Sequence, residues 1–527
     1  MGRVTRSLKR AEFAAFATLL LVYVATLAPG VTLWDSGEFL AAIHSLGIPH
    51  PPGTPLYILI GNVWALLWAP LVGFAYSINL LSALCTAAAC ALMANLFTRW
   101  TGDKIAAYAA AVCAGAMSSV WLSATETEVY SAALFIGCLI FWIGENASEG
   151  RATKWILLGA YVAGLGFALH LTALLTVPAA LYLAASRGRW RDMLRRAPAM
   201  LLLFGLGASV VLFMLVRAKH DPWVNQGNPS SLSSLADVLL RKQYMPATPW
   251  PRQAPFFIQV GNLFEYADWQ VALGLAPDPP PTIARTTLSI VFGLLGVIGF
   301  IQHRRLDRRS WRAMLILFLT ASVGVLFYLN LKASPSFGGS FIPATAKHEA
   351  RERDYFFALA FMCWGLWAGF GAVRAMRAAT KSRSLPLAGA LAAFVPIILN
   401  WSAVSRQIEP AATDARRNAI RILETAPPRA VVLAHGDNET YPVWYLQEVE
   451  RLRRDVTIVV VPLLPAEWYR SELVRRPGLL KQNFVSTWRG AEQTLFAICD
   501  AAARENRPIG DAGFAPGDKF PATCESH

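Results

Sequence analysis

Apolar runs long enough to cross a bilayer recur along this chain from Phe13 to about Trp401 and then stop. That feature limits the fold more than any other, because in hydrocarbon only helices or closed barrels satisfy the backbone. With 527 residues and 55% hydrophobic side chains, the chain is no ordinary soluble globule. The formal charge of +14 raises the question of nucleic acid. Lys and Arg, however, sit largely in short clusters between apolar runs, as in the cytoplasmic loops of membrane proteins, so a polyanion groove is not expected. The expected class is a polytopic α-helical membrane domain over residues 1–402, followed by a small extracytoplasmic α/β domain over 403–527.

Loop charges fix the expected threading. Arg3, Arg6, Lys9 and Arg10 precede the first run, from about Glu12 to Ala28, which reads as a retained anchor. Leu56–Ala69 is apolar but bracketed by Pro55 and Pro70 and shorter than the ~20 residues a span needs, so it is expected to lie in the interface or to re-enter the membrane. Further spans are expected at about Ser77–Phe97, Ile105–Leu122, Val129–Glu145, Ala197–Val216, Thr286–Ile301, Ala313–Leu329, Phe356–Val373 and Pro386–Trp401. Trp155–Ser186 is too long for one crossing at about 1.5 Å per residue and is split in two near His170. This gives about eleven crossings. It places the basic clusters around Arg99, Arg191, Arg308 and Arg377 in the cytoplasm. Making Leu56–Ala69 a span would turn every one of them outward. The expected location is the inner (plasma) membrane, with the N-terminus cytoplasmic and the C-terminal domain outside.

The outward loops then hold nearly all the unusual polar residues. Trp34-Asp35-Ser36-Gly37-Glu38-Phe39, followed by His50-Pro51-Pro52-Gly53, puts Asp35 and Glu38 on one face of a helix at the membrane boundary. They suit acid/base work in low dielectric, or merely cap a helix. Thr125-Glu126-Thr127-Glu128 offers two further acids, for a divalent cation, a hydroxyl donor or a helix start. His170 lies in a bilayer-depth turn and is a functional residue by default, the plainer alternative being a histidine satisfied by a nearby carbonyl. Lys347-His348-Glu349-Ala350-Arg351-Glu352-Arg353-Asp354-Tyr355 suits a phosphate through guanidinium bonds, or is a self-paired helix end. The long segment Lys219–Arg285 is rich in Pro and Trp, which serve sugar stacking and the interfacial belt alike.

In the soluble part, Ala430–Leu433 and Val456–Pro462 read as strands around a helix over Tyr441–Arg451, a βαβ unit. Asp437, Asn438 and Glu439 then fall in a turn at a strand's carboxyl end, where α/β folds place ligands, unless they cap the helix. Cys499 and Cys524 could form a disulfide if this part is outside.

These motifs in this order, together with Arg353-Asp354-Tyr355-Phe356-Phe357, Gly436-Asp437-Asn438-Glu439-Thr440 and Trp444-Tyr445-Leu446-Gln447, resemble one family. It is the GT-C glycosyltransferase family that includes the vertebrate O-mannosyltransferase acting on plexin-type receptor domains; this chain looks like a bacterial member. The resemblance implies an inverting transfer of a mannose-type sugar from a polyprenyl-phosphate carrier in the membrane lipid to Ser/Thr hydroxyls of an exported protein. It implies Asp35 as general base and Glu38 beside it. His170, Lys347, Arg351 and Arg353 would then serve as cations for the donor phosphate. His50, Glu126, Glu128, Asp354, Asp437, Asn438 and Glu439 would position substrate. No metal ligand is assigned, although Glu126 and Glu128 stand where some relatives bind magnesium or manganese. A lipid or envelope glycan as acceptor is the alternative. A transporter or flippase is a more distant one, since no internal repeat is found.

Overall fold

The computed structural model describes residues 2–149, 152–188, 190–244, 248–337, 347–379 and 390–513. Seven of its helices are long and apolar enough to cross a membrane, or eight if a bent pair counts as one crossing, with shorter apolar helices beside them.

The first crossing, Gly2–Ala25, runs antiparallel to Phe74–Thr101. Asn95 Nδ2 donates to Glu12 Oε2 (2.8 Å) at one end of the pair, and Asn79 Nδ2 donates to the carbonyls of Ala28 and Gly30 (2.9 and 3.0 Å) at the other. The second helix therefore starts where the first one exits. Between them, Pro55–Val72 is long and apolar enough to be counted as a span by composition. The stretch between Gly30 and Asn79 nevertheless leaves from and returns to one end of that helix pair, since those two residues are hydrogen-bonded. One face of Pro55–Val72 packs inward through Tyr57, Ile58, Gly61 and Ala65, while Val63, Leu66, Leu67 and Leu71 stay exposed for lipid.

Trp155–Ser186 is indeed two segments, Ala152–Leu169 and Leu171–Ala185, with His170 at the turn. The other expected spans lie within Val129–Ala147, Trp190–Ala218, Ile283–Leu306, Arg308–Leu329 and Asp354–Ala379. The last begins outside the described residues and is seen as Ala390–Val404. One expectation fails. Ile105–Leu122 is not a single helix but a pair, Lys104–Gly115 and Ser118–Ala124, bent by 74°. Polar side chains from elsewhere meet the backbone groups freed at the bend. Asn400 Nδ2 donates to Ala116 O (2.9 Å), and the amides of Ser118 and Ser119 donate to Gln270 O and Oε1 (3.1 and 3.2 Å). Broken backbone at membrane depth is tolerated where protein satisfies it in this way.

At the far end of the bundle, Arg99 pairs with Glu149 (3.0 Å), Arg377 with Asp103, and Arg309 with Glu145 (2.5 Å). These basic loops thus share one face, opposite the Asp35 loop. Lys381 and Arg383 lie outside the described residues.

The soluble part is a three-stranded parallel sheet in the order β2-β1-β3, with β1 Val431–Ala434, β2 Thr457–Val460 and β3 Ile509–Asp511. The connecting helix is Asp437–Glu448, so Asp437, Asn438 and Glu439 form its first turn and not the turn expected before it. Extended Gly436 serves as N-cap, and two acids in the first turn suit the helix dipole. This helix packs directly on Ser36–Ser45: a Cβ at Gly37 would stand 2.2 Å from Tyr441 O. The glycine of the first motif is therefore where the two helices touch. The expected Cys499–Cys524 pair falls partly outside the described residues.

Candidate active site

Asp35 precedes helix Ser36–Ser45 in helical conformation, and its side chain makes no capping bond. The carboxylate instead meets Arg351, with Nη2 2.7 Å from Oδ2. Trp34, at φ 61°, adopts a left-handed conformation that bulky residues avoid. Its amide donates to Asn438 Oδ1 (2.6 Å), and the Arg351 guanidinium lies over its ring (5.1 Å). The soluble part thereby holds the bend that aims Asp35.

Glu38 is fully buried one turn further along. It accepts from the His50 amide (2.7 Å) and Gln226 Nε2 (2.5 Å) on Oε1, and faces His50 Nδ1 on Oε2 (2.5 Å). Burial pushes the Glu38 carboxyl up, while these donors favour its charged form. Burial alone would push the His50 imidazole down, but Glu38 and Asp35 bring it up to about 9. Burial would likewise raise Asp35, yet His50, Arg351 and Arg353 hold it below the usual carboxylate range. At neutral pH the cluster therefore contains an ionised Asp35 beside an imidazolium and two guanidiniums. The sharp turn after His50 needs Gly53, at φ 85°, where a Cβ would strike Met214 Sδ.

Arg351 and Arg353 converge on Tyr355, whose hydroxyl lies 3.1 Å from Arg351 Nε and 2.6 Å from Arg353 Nη1. Arg353 Nε is buried with no hydrogen-bond acceptor among the described residues, its nearest carboxylate being Glu349 at 3.5 Å. Asp354 anchors this loop by accepting from Ser119 Oγ (2.6 Å) on the second half of the broken helix. Tyr130 packs its ring on Tyr355 (4.8 Å) and, on another side, on His170 (5.1 Å).

His170 Nδ1 faces the Thr172 hydroxyl (2.8 Å) and accepts from the Thr172 amide (3.3 Å), which suits a neutral ring better than the cation expected there. Lys347 is exposed and meets none of the cluster residues among the described contacts. Glu126 is paired with Arg406 (2.8 Å). Glu128 caps no helix; its Oε2 is buried without a partner, and burial with the Asp35 charge pushes its carboxyl well up. Tyr57 OH, also buried and unpartnered, feels Glu128. For a divalent cation the residues fit poorly: among the described residues, no three His, Cys, Asp or Glu side chains gather in a metal-holding group. In the soluble part, Asp437 is exposed at the rim, Asn438 holds Trp34, and Glu439 Oε2 accepts from the His435 amide (2.8 Å). Sequence reasoning missed Gln226 and Arg406, for which no local signal exists, and Tyr130, which stood unremarked beside Glu128.

The helical bundle with a small soluble unit over one face is a fold also found among solved structures. A crystal structure of ArnT from Cupriavidus metallidurans bound to undecaprenyl phosphate has that fold at a TM-score of 0.54, with 11% identity and 88% of each chain covered. Two parts of the chain also match models of one family. Residues 35–193 match the N-terminal domain of protein O-mannosyl-transferase TMEM260, and residues 415–478 match TMEM260-associated domain 2. It is 25% identical over 488 residues to protein O-mannosyl-transferase TMEM260 of Mus musculus, covering 89% of this chain and 65% of that protein. Against protein O-mannosyl-transferase tmem260 of Dictyostelium discoideum it is 25% identical over 267 residues, 46% of this chain and 32% of that one. The chain thus spans less than two thirds of the length of either relative.

Proposed function

We propose that this protein transfers a mannose-type sugar from a polyprenyl-phosphate carrier to Ser or Thr hydroxyls of exported proteins, with inversion at the anomeric carbon. The observation that carries this reading is the pairing of an ionised Asp35 with Arg351, beside His50 and Arg353, at one face of a membrane bundle. Asp35 takes the proton from the acceptor hydroxyl as its oxygen bonds to the anomeric carbon. The carbon–phosphate oxygen bond breaks at the same time, and its electrons leave on the carrier phosphate. Charge grows there, so fixed cations lower the barrier. Arg353, whose Nε faces Glu349 but has no hydrogen-bond acceptor among the described residues, Arg351 and the His50 imidazolium supply those cations. When the phosphate arrives, Arg351 is shared between two anions, which weakens its hold on Asp35 and strengthens the base. Glu38 keeps His50 charged and oriented. Glu128 and Tyr57, each with a buried oxygen that has no hydrogen-bond partner among the described residues, are suited to sugar hydroxyls.

The site face is taken as extracytoplasmic, because the clustered Arg and Lys residues occupy the other end of the bundle. No step is routed through a divalent cation. The test is mass spectrometry of exported proteins from cells with and without the gene. Loss of hexose from Ser/Thr peptides is the expected result. Unchanged peptides with an altered envelope glycan would select a lipid or glycan acceptor instead.

A further inference from the structure

A cavity of about 240 Å³ lies between the segment Trp223–Gln226 and the soluble unit. Trp223, Trp444 and Trp468 contribute to its walls. Asn225 and Gln226, 3% and 1% exposed, also line it, and each leaves a side-chain oxygen without a partner among the described residues. Gln226 is the residue whose amide nitrogen holds Glu38, so the cavity stands one hydrogen bond from the acid cluster.

One wall is the outer edge of the sheet. Strand β2 pairs only with β1, in parallel register, and Thr457 N–H goes to Ala430 O. Alternation along a parallel ladder then turns the peptide groups of Thr457 and Val459 toward β1 and those of Ile458 and Val460 away. The Val460 amide is taken by Tyr469 OH (2.7 Å), and Val456 O by Gln447 Nε2 (2.8 Å). Tyr469 and Gln447 both line the cavity, as does Ile458, whose own N–H and C=O have no partner among the described residues. The cations at the rim are already engaged, Arg454 by Glu448 and Arg476 by Asp221. An anionic ligand is therefore poorly served here. A chain with its own N–H and C=O groups and apolar side chains is well served.

We propose that this cavity is the acceptor subsite: an extended polypeptide segment pairs with the free edge of β2 at Ile458, seats side chains among Trp223, Trp444 and Trp468, and runs on toward Asp35. The inference rests on the acceptor being a polypeptide, as proposed above. Helix Asp437–Glu448 gives the reach. Asn438, which holds Trp34, and Trp444 are separated by about 9 Å of helix, or roughly three residues of extended chain. Residues about three positions from the modified hydroxyl are thus the ones selected.

The experiment uses the full-length enzyme in detergent with a library of short Ser/Thr peptides carrying a benzophenone, plus a polyprenyl-phosphate mannose donor. Crosslinks are expected on the segments around 223–226, 444–447 and 456–476, with or without donor. Trp468→Ala should raise the peptide KM about tenfold or more while leaving kcat and donor hydrolysis unchanged, and Trp468→Phe should restore it. A peptide methylated on the nitrogen opposite Ile458 should lose affinity to a similar degree. Peptides that are glycosylated but crosslink elsewhere, or a Trp468→Ala enzyme with unchanged KM, would overturn this subsite and leave the proposed function standing. Sugar transferred only to lipid would remove the protein acceptor itself, and this subsite with it.

Discussion

Arg351 Nη2 stands 2.7 Å from Asp35 Oδ2, a contact between residues 316 positions apart. The guanidinium also lies over the rings of Trp34 and Tyr355, 5.1 and 4.9 Å from their centroids. One cation therefore fixes the orientation of the acid, lowers its basicity in the resting enzyme, and stands ready for a second anion.

Replacing the acid tests its role directly. Purified Asp35→Asn should lose roughly 10²–10⁴ in transfer rate while remaining folded, because the amide cannot accept the proton. Near-normal transfer by a folded variant would remove Asp35 from the mechanism.

Arg351→Ala should move the acid limb of the pH–rate profile. Asp35 titrates below its usual range in the native protein, so its ion pair contributes stability above the ordinary carboxylate value. That contribution is lost as pH falls through the lowered value. Without Arg351, burial remains while much of the opposing charge is gone, and the limb should shift upward. An unmoved limb would show that some other group sets it.

His50 titrates in the opposite direction. Its native value, about 9, lies above the ordinary imidazole range, so the Glu38 pairing stabilises the fold fully below about 6.5. The benefit fades as pH rises through about 9. Activity and thermal stability should both decline across that window, and Glu38→Gln should bring the alkaline limb down. Identical profiles for the two enzymes would separate His50 from Glu38.

Gly37→Ala should loosen the seating of the soluble unit. The new methyl would meet Tyr441 O well inside contact distance, and overpacking of this kind costs about 1–3 kcal/mol. Thermal unfolding in detergent should show a lower midpoint, and the shift of Trp34 and Asp35 should reduce transfer as well.

Asn400→Ala should weaken the broken crossing. It removes the donor to the carbonyls of Ala116 and Gln270, and a buried unsatisfied group costs about 1–3 kcal/mol. The expected outcome is a lower unfolding temperature. A rise would mean that the bend is strained and not supported.

Many of the residues that the fold brings together around Asp35 were legible in the sequence as candidates, because they come in short motifs. Asp35 with His50, and Arg351 with Arg353 and Tyr355, are each read from a few adjacent letters. What those letters could not give is the partner. Glu38 looked like a second acid beside the base, and only the folded chain shows its carboxylate filled by His50 and Gln226. His170 was taken as a cation because a histidine at membrane depth invites that reading. Only the folded chain shows its Nδ1 taken up by Thr172.

Taken alone, the sequence determined where most of the long apolar helices fall: the spacing of apolar runs sufficed to place them. These are properties of chain segments meeting lipid and water, and each segment responds to them almost independently. The tertiary structure decided the bend at Ala116–Met117, the pairing of Arg351 with Asp35, and the meeting of Gly37 with Tyr441. Those depend on groups hundreds of residues away, whose distances are set only once the helices have packed.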